Sequence, residues 1–234
     1  MTKPSHTDRE PAPVRRSHRQ AQRTYDRLSG AYDLLEAPFE RPVRRTARRL
    51  LGATPGERIL EIGCGTGEDL AAYARSVGRD GWCLGVDLAP GMLRRSAQRL
   101  TRDGLADRVS LLQADGLQLP LAERSFDAVY LSFTLELFDT PELEPLLAQC
   151  RRVLRDPGRL VVVSLAQVAD PPVLARLYVA ARRALPAVLD CRPIPTARWL
   201  HAAGFAIDGH LRRSVWGMPV DVVLARPRDQ RRTC

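Results

Sequence analysis

The stretch Glu61-Ile62-Gly63-Cys64-Gly65-Thr66-Gly67 decides the fold class of this chain, because it joins a short apolar run to a helix-compatible segment. The apolar run is Ile59-Leu60, and the helical segment extends from Glu68 to Val77. Glycines at alternate positions let the backbone turn sharply, since glycine adopts positive φ at little cost and has no Cβ to hold a ligand away. The stretch therefore predicts a strand, a tight turn and a helix that form a pocket for a nucleotide-type ligand.

The spacing of these glycines narrows the class of ligand. A dinucleotide fingerprint, G-x-G-x-x-G, needs its third glycine at position 68, where the chain has Glu68 followed by Asp69. Two carboxylates at a helix N-terminus oppose bound phosphate. A phosphate-binding P-loop is excluded because it needs a lysine after its last glycine, and the only lysine is Lys3. The pattern favours a cationic ligand without phosphate, such as S-adenosylmethionine (SAM), over a glycine turn that binds nothing.

Strand-like and helix-like segments alternate after this turn, which predicts an α/β fold with a doubly wound, mostly parallel sheet. A helical lid is predicted at 21–52, and a proline-rich, substrate-side insertion at 167–196. Two final strands, joined at Trp216-Gly217, predict a closing antiparallel hairpin and bring the sheet to seven strands. The predicted strands are Arg58–Ile62, Trp82–Val86, Val109–Gln113, Phe126–Ser132, Gly158–Leu165, Phe205–Leu211 and Met218–Ala225.

Length and composition predict one domain in a reducing compartment. The 234 residues suffice for one α/β domain, predicted at 21–227, with a disordered basic tail at 1–20 and a second basic tail at 228–234. Five cysteines without a C-x-x-C pair argue against a disulfide framework and against a metal site. No apolar run is long enough to span a membrane, and the N-terminal residues lack the apolar core of a signal peptide, so a cytoplasmic protein is predicted.

The net charge of +9 favours an anionic partner. One cluster is patterned, because five arginines are predicted to share one helical face opposite the apolar residues Val43, Ala47, Leu50 and Leu51. Such a face is either a solvated surface or a peripheral contact with an anionic membrane, and nucleic acid is the less favoured partner. The arginines are Arg41, Arg44, Arg45, Arg48 and Arg49.

Acidic residues stand at three predicted strand ends, where ligands bind in open α/β sheets. Asp87 follows the second strand and can accept hydrogen bonds from both hydroxyls of a ribose. Asp115 follows the third strand and can accept from an exocyclic adenine amine, while Glu61 ends the first strand and can face the ammonium group of an amino acid. Each acid has a structural alternative, as a helix cap, a turn residue or a surface carboxylate.

Several motifs, in order along the chain, resemble those of the class I SAM-dependent methyltransferases, which have a Rossmann-like fold. The resemblance extends from about Tyr25 to Pro227 and is strongest to the UbiE-like ubiquinone/menaquinone C-methyltransferases, while bacterial phosphatidylethanolamine N-methyltransferases share the N-terminal half. The motifs are Glu61 to Gly67, Gly85-Val86-Asp87-Leu88-Ala89-Pro90-Gly91-Met92-Leu93, Ala114-Asp115 with Leu119-Pro120, Ser125-Phe126-Asp127-Ala128-Val129, and Arg152-Val153-Leu154-Arg155-Asp156-Pro157-Gly158-Arg159-Leu160.

The resemblance implies SAM as the cofactor, no metal, and a small, lipophilic acceptor such as a quinone-like ring carbon. A phospholipid amine or another small O- or N-acceptor is the alternative, and an RNA methyltransferase or a non-catalytic SAM-binding scaffold is a minor one. Substrate contacts are expected from Tyr32 and Phe133, and Glu136 is the candidate base. The expected cofactor-binding residues are Tyr25, Glu61, Gly63, Gly65, Gly67, Asp87, Leu88, Met92, Asp115, Gly116 and Ser132.

Two segments depart from the pattern of the quinone enzymes. The fourth strand continues into Ser132-Phe133-Thr134-Leu135-Glu136, without their glycine, and Asp190-Cys191-Arg192-Pro193-Ile194-Pro195 replaces a segment rich in serine and tyrosine. Both segments are expected to face the acceptor. The sequence therefore predicts the cofactor more firmly than the substrate.

Overall fold

The computed structural model describes residues 37–184 and 191–228, so Tyr25 and Tyr32 lie outside the described residues. The described chain forms one seven-stranded sheet in the order β3-β2-β1-β4-β5-β7-β6. Its elements are α1 (Ala37–Leu51), β1 (Arg58–Ile62), α2 (Glu68–Val77), β2 (Trp82–Asp87), α3 (Pro90–Arg102), β3 (Val109–Gln113), β4 (Phe126–Ser132), α4 (Thr140–Val153), β5 (Leu154–Leu165), α5 (Val173–Ala184), α6 (Thr196–Ala202), β6 (Phe205–Val215) and β7 (Met218–Pro227).

The five N-terminal strands are parallel, as the alternation of elements predicts. Two apolar clusters cover the two faces of the sheet, which is why the strands are apolar on both sides. Side chains of α1, α2 and α3 pack on one face, and side chains of α4 and α6 pack on the other. The doubly wound, mostly parallel sheet predicted from the sequence is thus confirmed.

The predicted C-terminal hairpin is also confirmed. β7 pairs antiparallel with β5 and with β6, and Leu165 at the end of β5 lies opposite Val220 near the start of β7. The turn at Trp216-Gly217 therefore lies at the carboxyl edge of the parallel strands, the same edge as the glycine turn after β1. β5 begins at Leu154, four residues before its predicted start. At the C-terminus, the backbone N–H of Arg228 donates to the carbonyl of Gly204, so the hydrogen-bonded chain extends one residue into the predicted tail.

The described part of the predicted lid is α1, and its arginines do not form a single exposed face. Val43, Ala47 and Leu51 of this helix are buried in the core. Arg44 and Arg48 are turned inward toward α2, whereas Arg41, Arg45 and Arg49 remain exposed. The prediction of one five-arginine surface is wrong, because the buried carboxylate of Asp69 attracts two of the five guanidinium groups.

The segment predicted as an insertion follows β5 at the carboxyl edge of the sheet. It contains α5, and it returns to the sheet at Ile194, whose N–H donates to the carbonyl of Leu165 over 3.0 Å. The carbonyl of Ile194 accepts from the N–H of Gln167 over 3.2 Å. Within 37–184 and 191–228, no helix has both the length and the apolar character that a membrane-spanning segment needs.

Candidate functional site

The glycine turn after β1 has the geometry that its sequence predicts. Gly63, Gly65 and Gly67 have φ values of 71°, 51° and 76°, which glycine adopts without strain. The backbone N–H groups of Gly63 and Cys64 both donate to the carbonyl of Val86, over 2.8 and 3.0 Å. The turn is therefore fixed to the end of β2, and α2 begins directly after Gly67.

The three glycines meet different surroundings. A Cβ on Gly63 would lie 2.4 Å from Thr134 Oγ1, and one on Gly67 would lie 2.3 Å from Ser96 Oγ, so the fold itself requires glycine at both positions. A Cβ on Gly65 would meet nothing within 4 Å. Gly65 is therefore the position where the bare backbone is accessible to a ligand. Gly116 belongs with the packing glycines, since its Cβ would lie 2.9 Å from Leu146 Cδ1.

Asp87 connects this turn to the end of β2. Its Oδ2 accepts a hydrogen bond from the N–H of Gly65 over 2.8 Å, and its Oδ1 accepts from the N–H of Ala89 over 2.9 Å. These two bonds fix the carboxylate of Asp87 at the edge of the sheet beside the glycine turn. Leu88 and Met92, the adjacent predicted contacts, are half-buried and buried at the start of α3. The contact of Asp87 with a ribose stays a prediction.

Glu61 is a buried carboxylate at the end of β1. Its side chain is 2% exposed, and its Oε2 has no hydrogen-bond partner among the described residues. Burial raises the pKa of Glu61 well above its usual range, repulsion from Asp69 and Asp87 adds to this rise, and the guanidinium groups of Arg44 and Arg48 oppose it. A buried carboxylate oxygen without a hydrogen-bond donor in the described part of the chain fits a cationic ligand group such as an ammonium.

An ion-pair network behind Glu61 was not predicted. Asp69 is completely buried and forms ion pairs with Arg48 and, over 3.5 Å, with Arg44. Arg44 also contacts Glu40 over 2.7 Å, and Glu68 contacts Arg41 over 3.5 Å. Asp69 therefore faces the interior and does not occupy the position of a phosphate, contrary to the expectation from the sequence. The sequence does contain Arg44 and Arg48 one helical turn apart, but their pairing with Asp69 becomes evident only when α1 packs beside α2.

The predicted residues after β3 and β4 lie at the same edge of the sheet. Asp115 is half-buried, and its Oδ1 accepts from the N–H of Leu117 over 2.9 Å, which gives it a turn-forming role in addition to the predicted adenine contact. Ser132 and Phe133 are buried at the end of β4. Phe133 has a φ of 51°, a strained conformation for a bulky residue that is typical of functional sites and that the sequence does not reveal.

Glu136 lies in a short 3₁₀ turn, Leu135–Leu137, and is completely buried. Its Oε1 accepts from the backbone N–H of Leu165 over 3.1 Å, so this carboxylate joins the segment after β4 to the end of β5. Its role as a base stays a prediction. Across the described stretches 37–184 and 191–228, no cluster of histidine, cysteine or acidic side chains suits a metal ion.

Comparison with known proteins gives the same class of fold. Residues 59–158 match the family described as "Methyltransferase domain". The chain is 37% identical over 150 residues to nocamycin O-methyltransferase of Saccharothrix syringae, covering 64% of this chain and 51% of that protein. It is 34% identical over 146 residues to the ubiquinone/menaquinone biosynthesis C-methyltransferase UbiE of Ectopseudomonas mendocina, covering 62% of this chain and 56% of that protein.

A similar solved structure is that of the [4+2]-cyclase SpnF, with a TM-score of 0.74 and 17% identity over 94% of this chain and 99% of that one. At this identity the likeness concerns the fold alone. The chain spans about half the length of the two curated relatives.

The parallel sheet, its antiparallel seventh strand and the glycine turn define a class I methyltransferase fold. Residues 59–158 match a methyltransferase domain, and the chain is similar in sequence to SAM-dependent methyltransferases, UbiE among them.

Proposed function

We propose that this chain is a SAM-dependent methyltransferase that acts on a small, lipophilic acceptor. The observation that carries the proposal is the buried Oε2 of Glu61, which has no hydrogen-bond partner among the described residues and shares one edge of the sheet with the accessible backbone of Gly65. SAM has an ammonium group for Glu61 and no phosphate. Its ribose and its adenine amine fit the acids at the next two strand ends, Asp87 and Asp115.

The residues of the chain bind and align the reactants in this proposal. When bound, SAM supplies an electrophilic methyl group on its sulfonium. Asp87 and Glu61 hold the nucleoside and amino-acid parts, and the apolar side chains after β4, including Phe133, exclude water from the acceptor side. Correct alignment alone is worth about 7–11 kcal/mol, so the chain needs no nucleophile of its own. A base is needed only for an acceptor that loses a proton, and Glu136 is the candidate.

The acceptor class follows from the names of the relatives and from the buried surroundings of the pocket. The relatives include a quinone C-methyltransferase and a natural-product O-methyltransferase, and both names fit a small acceptor. Because a quinone-like acceptor resides in lipid, we include peripheral contact with an anionic membrane surface in the proposal. A phospholipid amine is the second acceptor to test, since the segment after β4 departs from the pattern of the quinone enzymes.

The test combines SAM binding with a panel of acceptors. The chain is incubated with SAM labelled in its methyl group and with quinol, phenol, amine, phospholipid and RNA acceptors, and label in each extracted product is counted. Label on an apolar quinol or phenol is expected. Binding of SAM with transfer to none of these would support a non-methylating protein instead, a real alternative because one similar fold belongs to a cyclase. Label only on RNA would contradict the proposal.

A further inference from the structure

Four large apolar side chains are exposed together on α5 and on the β6–β7 turn. We call them the apolar patch: Val173, Leu174, Leu177 and Trp216, with exposed fractions of 70, 50, 60 and 53%. They are the exposed large apolar residues of the described chain. A methyl group placed on Gly217 would lie 3.3 Å from Leu174 Cδ2, so α5 and the hairpin turn are in contact. The patch is therefore one surface made by two elements.

The outward face of α5 is apolar, which reverses the usual pattern of a surface helix. Ala175 and Tyr178 point inward, and the Tyr178 hydroxyl donates to the carbonyl of Cys191 over 3.2 Å. Val173 and Leu177, four residues apart, point outward. When one side of a helix packs on the protein and the other side presents apolar residues, the exposed side marks an interaction surface for a partner or a membrane.

The hairpin turn between β6 and β7 also exposes a large apolar side chain, that of Trp216. Trp216 and Gly217 have φ values of 54° and 71°, the conformation of a two-residue turn that favours Asn-Gly. A tryptophan in that position is strained and is still placed at the exposed tip. Tryptophan is enriched where apolar and aqueous phases meet, because its ring is apolar and its N–H is polar.

Positive charge borders the patch. Arg176 is exposed on α5 beside Leu177, and Arg213 is exposed on β6 three residues before Trp216. The sequence of α5 contains three arginines and no acidic residue. Asp170 is the exposed acid that precedes the helix. Exposed apolar residues bordered by arginine are the composition of segments that lie in the headgroup region of anionic membranes.

We propose that the apolar patch docks on the surface of an anionic lipid bilayer. Trp216, Leu177 and Val173 enter the headgroup region, and Arg176 and Arg213 contact lipid phosphates. Because the hairpin turn and α5 lie at the carboxyl edge of the sheet, docking places the acceptor side of the pocket at the membrane. The inference deepens the proposed function by naming the surface that takes a lipophilic acceptor from lipid, and it differs from the arginine face of α1.

The test is co-sedimentation of the full chain with vesicles of phosphatidylcholine alone and with added phosphatidylglycerol. Binding is expected only to the anionic vesicles, and it is expected to fall as salt rises. Leu177→Ser should weaken the vesicle partition about tenfold or more, and Arg176→Gln about fivefold. Arg45→Gln is the matched control, since Arg45 is an exposed arginine on α1, and it should leave the partition unchanged.

Tryptophan fluorescence gives an independent readout of the contact. The emission should shift to the blue when anionic vesicles are added, and Trp216→Phe should remove that shift although Trp82 and Trp199 remain. The inference is overturned if Arg45→Gln weakens the partition and Leu177→Ser does not, or if the full chain ignores vesicles. It is also overturned if Leu177→Ser instead abolishes a dimer seen by light scattering, which would assign the patch to a second copy. SAM binding, measured without vesicles, tests the proposed function separately.

Discussion

Neutralising Arg48 and neutralising Asp69 should shift the pH dependence of SAM binding in opposite directions. The guanidinium of Arg48 lowers the pKa of Glu61, and the carboxylate of Asp69 raises it. SAM binding requires the ionised form of Glu61 in the proposed function. Arg48→Met should therefore move the loss of SAM affinity on acidification to higher pH, and Asp69→Asn should move it to lower pH.

The same two variants should both destabilise the fold. Asp69 is completely buried, and the side chains of Arg44 and Arg48 are only 15% and 21% exposed. Removing one partner of a buried ion pair costs about 3–5 kcal/mol, and the partial exposure of the arginines reduces the expected cost to about 2–4 kcal/mol. The double variant should be less destabilised than the sum of the two by about 1.5–3 kcal/mol, because the partners are in contact.

Calorimetric titration with SAM between about pH 5 and pH 9 measures the first effect, and urea unfolding measures the second. Arg45→Met is the matched control, since it makes the same substitution on the exposed side of α1 and should change the free energy of unfolding by less than about 0.5 kcal/mol. Shifts of the two pH profiles in the same direction, or a coupling energy below about 0.5 kcal/mol, would refute the reasoning.

Three further variants test single residues of the site. Glu61→Gln should abolish SAM binding but raise the melting temperature at neutral pH. A carboxyl whose pKa is raised on folding contributes stability below its usual pKa of about 4.3 and loses that contribution as pH rises, and glutamine avoids this loss. Unchanged SAM affinity would contradict the prediction. Gly65→Ala should weaken SAM binding about tenfold or more, whereas Gly104→Ala, at a similar φ and equally open, should cost the same roughly 1 kcal/mol of stability and leave binding intact. Glu136→Gln should lower kcat about 100-fold at unchanged KM for SAM if this residue is the base, and an unchanged kcat would leave it a structural role.

The sequence predicted the fold well because the fold depends on local signals. The strand-turn-helix order around Gly63 to Gly67 and the apolar strands are readable from composition and spacing alone. The antiparallel hairpin followed from the same elements, whereas the order of the strands was not predicted and is known from the structure. The boundary of β5 was less predictable, because Leu154 is buried and pairs with Phe126 of β4, but the exposed Asp156 and Pro157 interrupt the pattern before the continuous buried part begins.

The charges of the site were harder to predict than its glycines. A helical wheel places Arg44 and Arg48 at the border of the buried stripe that contains Ala47 and Leu51, but it does not reveal a partner for their charges. That partner is Asp69, which lies on another helix and is buried only in the folded chain. The strain at Phe133 is similarly a product of tertiary packing, since its N–H must reach the carbonyl of Val163.

The most direct test of the central claim is calorimetry of the full chain with SAM and with NAD, each titrated under the same conditions. The account predicts one site for SAM, no heat with NAD, and a loss of SAM affinity of about 100-fold in Asp87→Ala, equivalent to two charge-assisted hydrogen bonds. Binding of NAD without binding of SAM would contradict it.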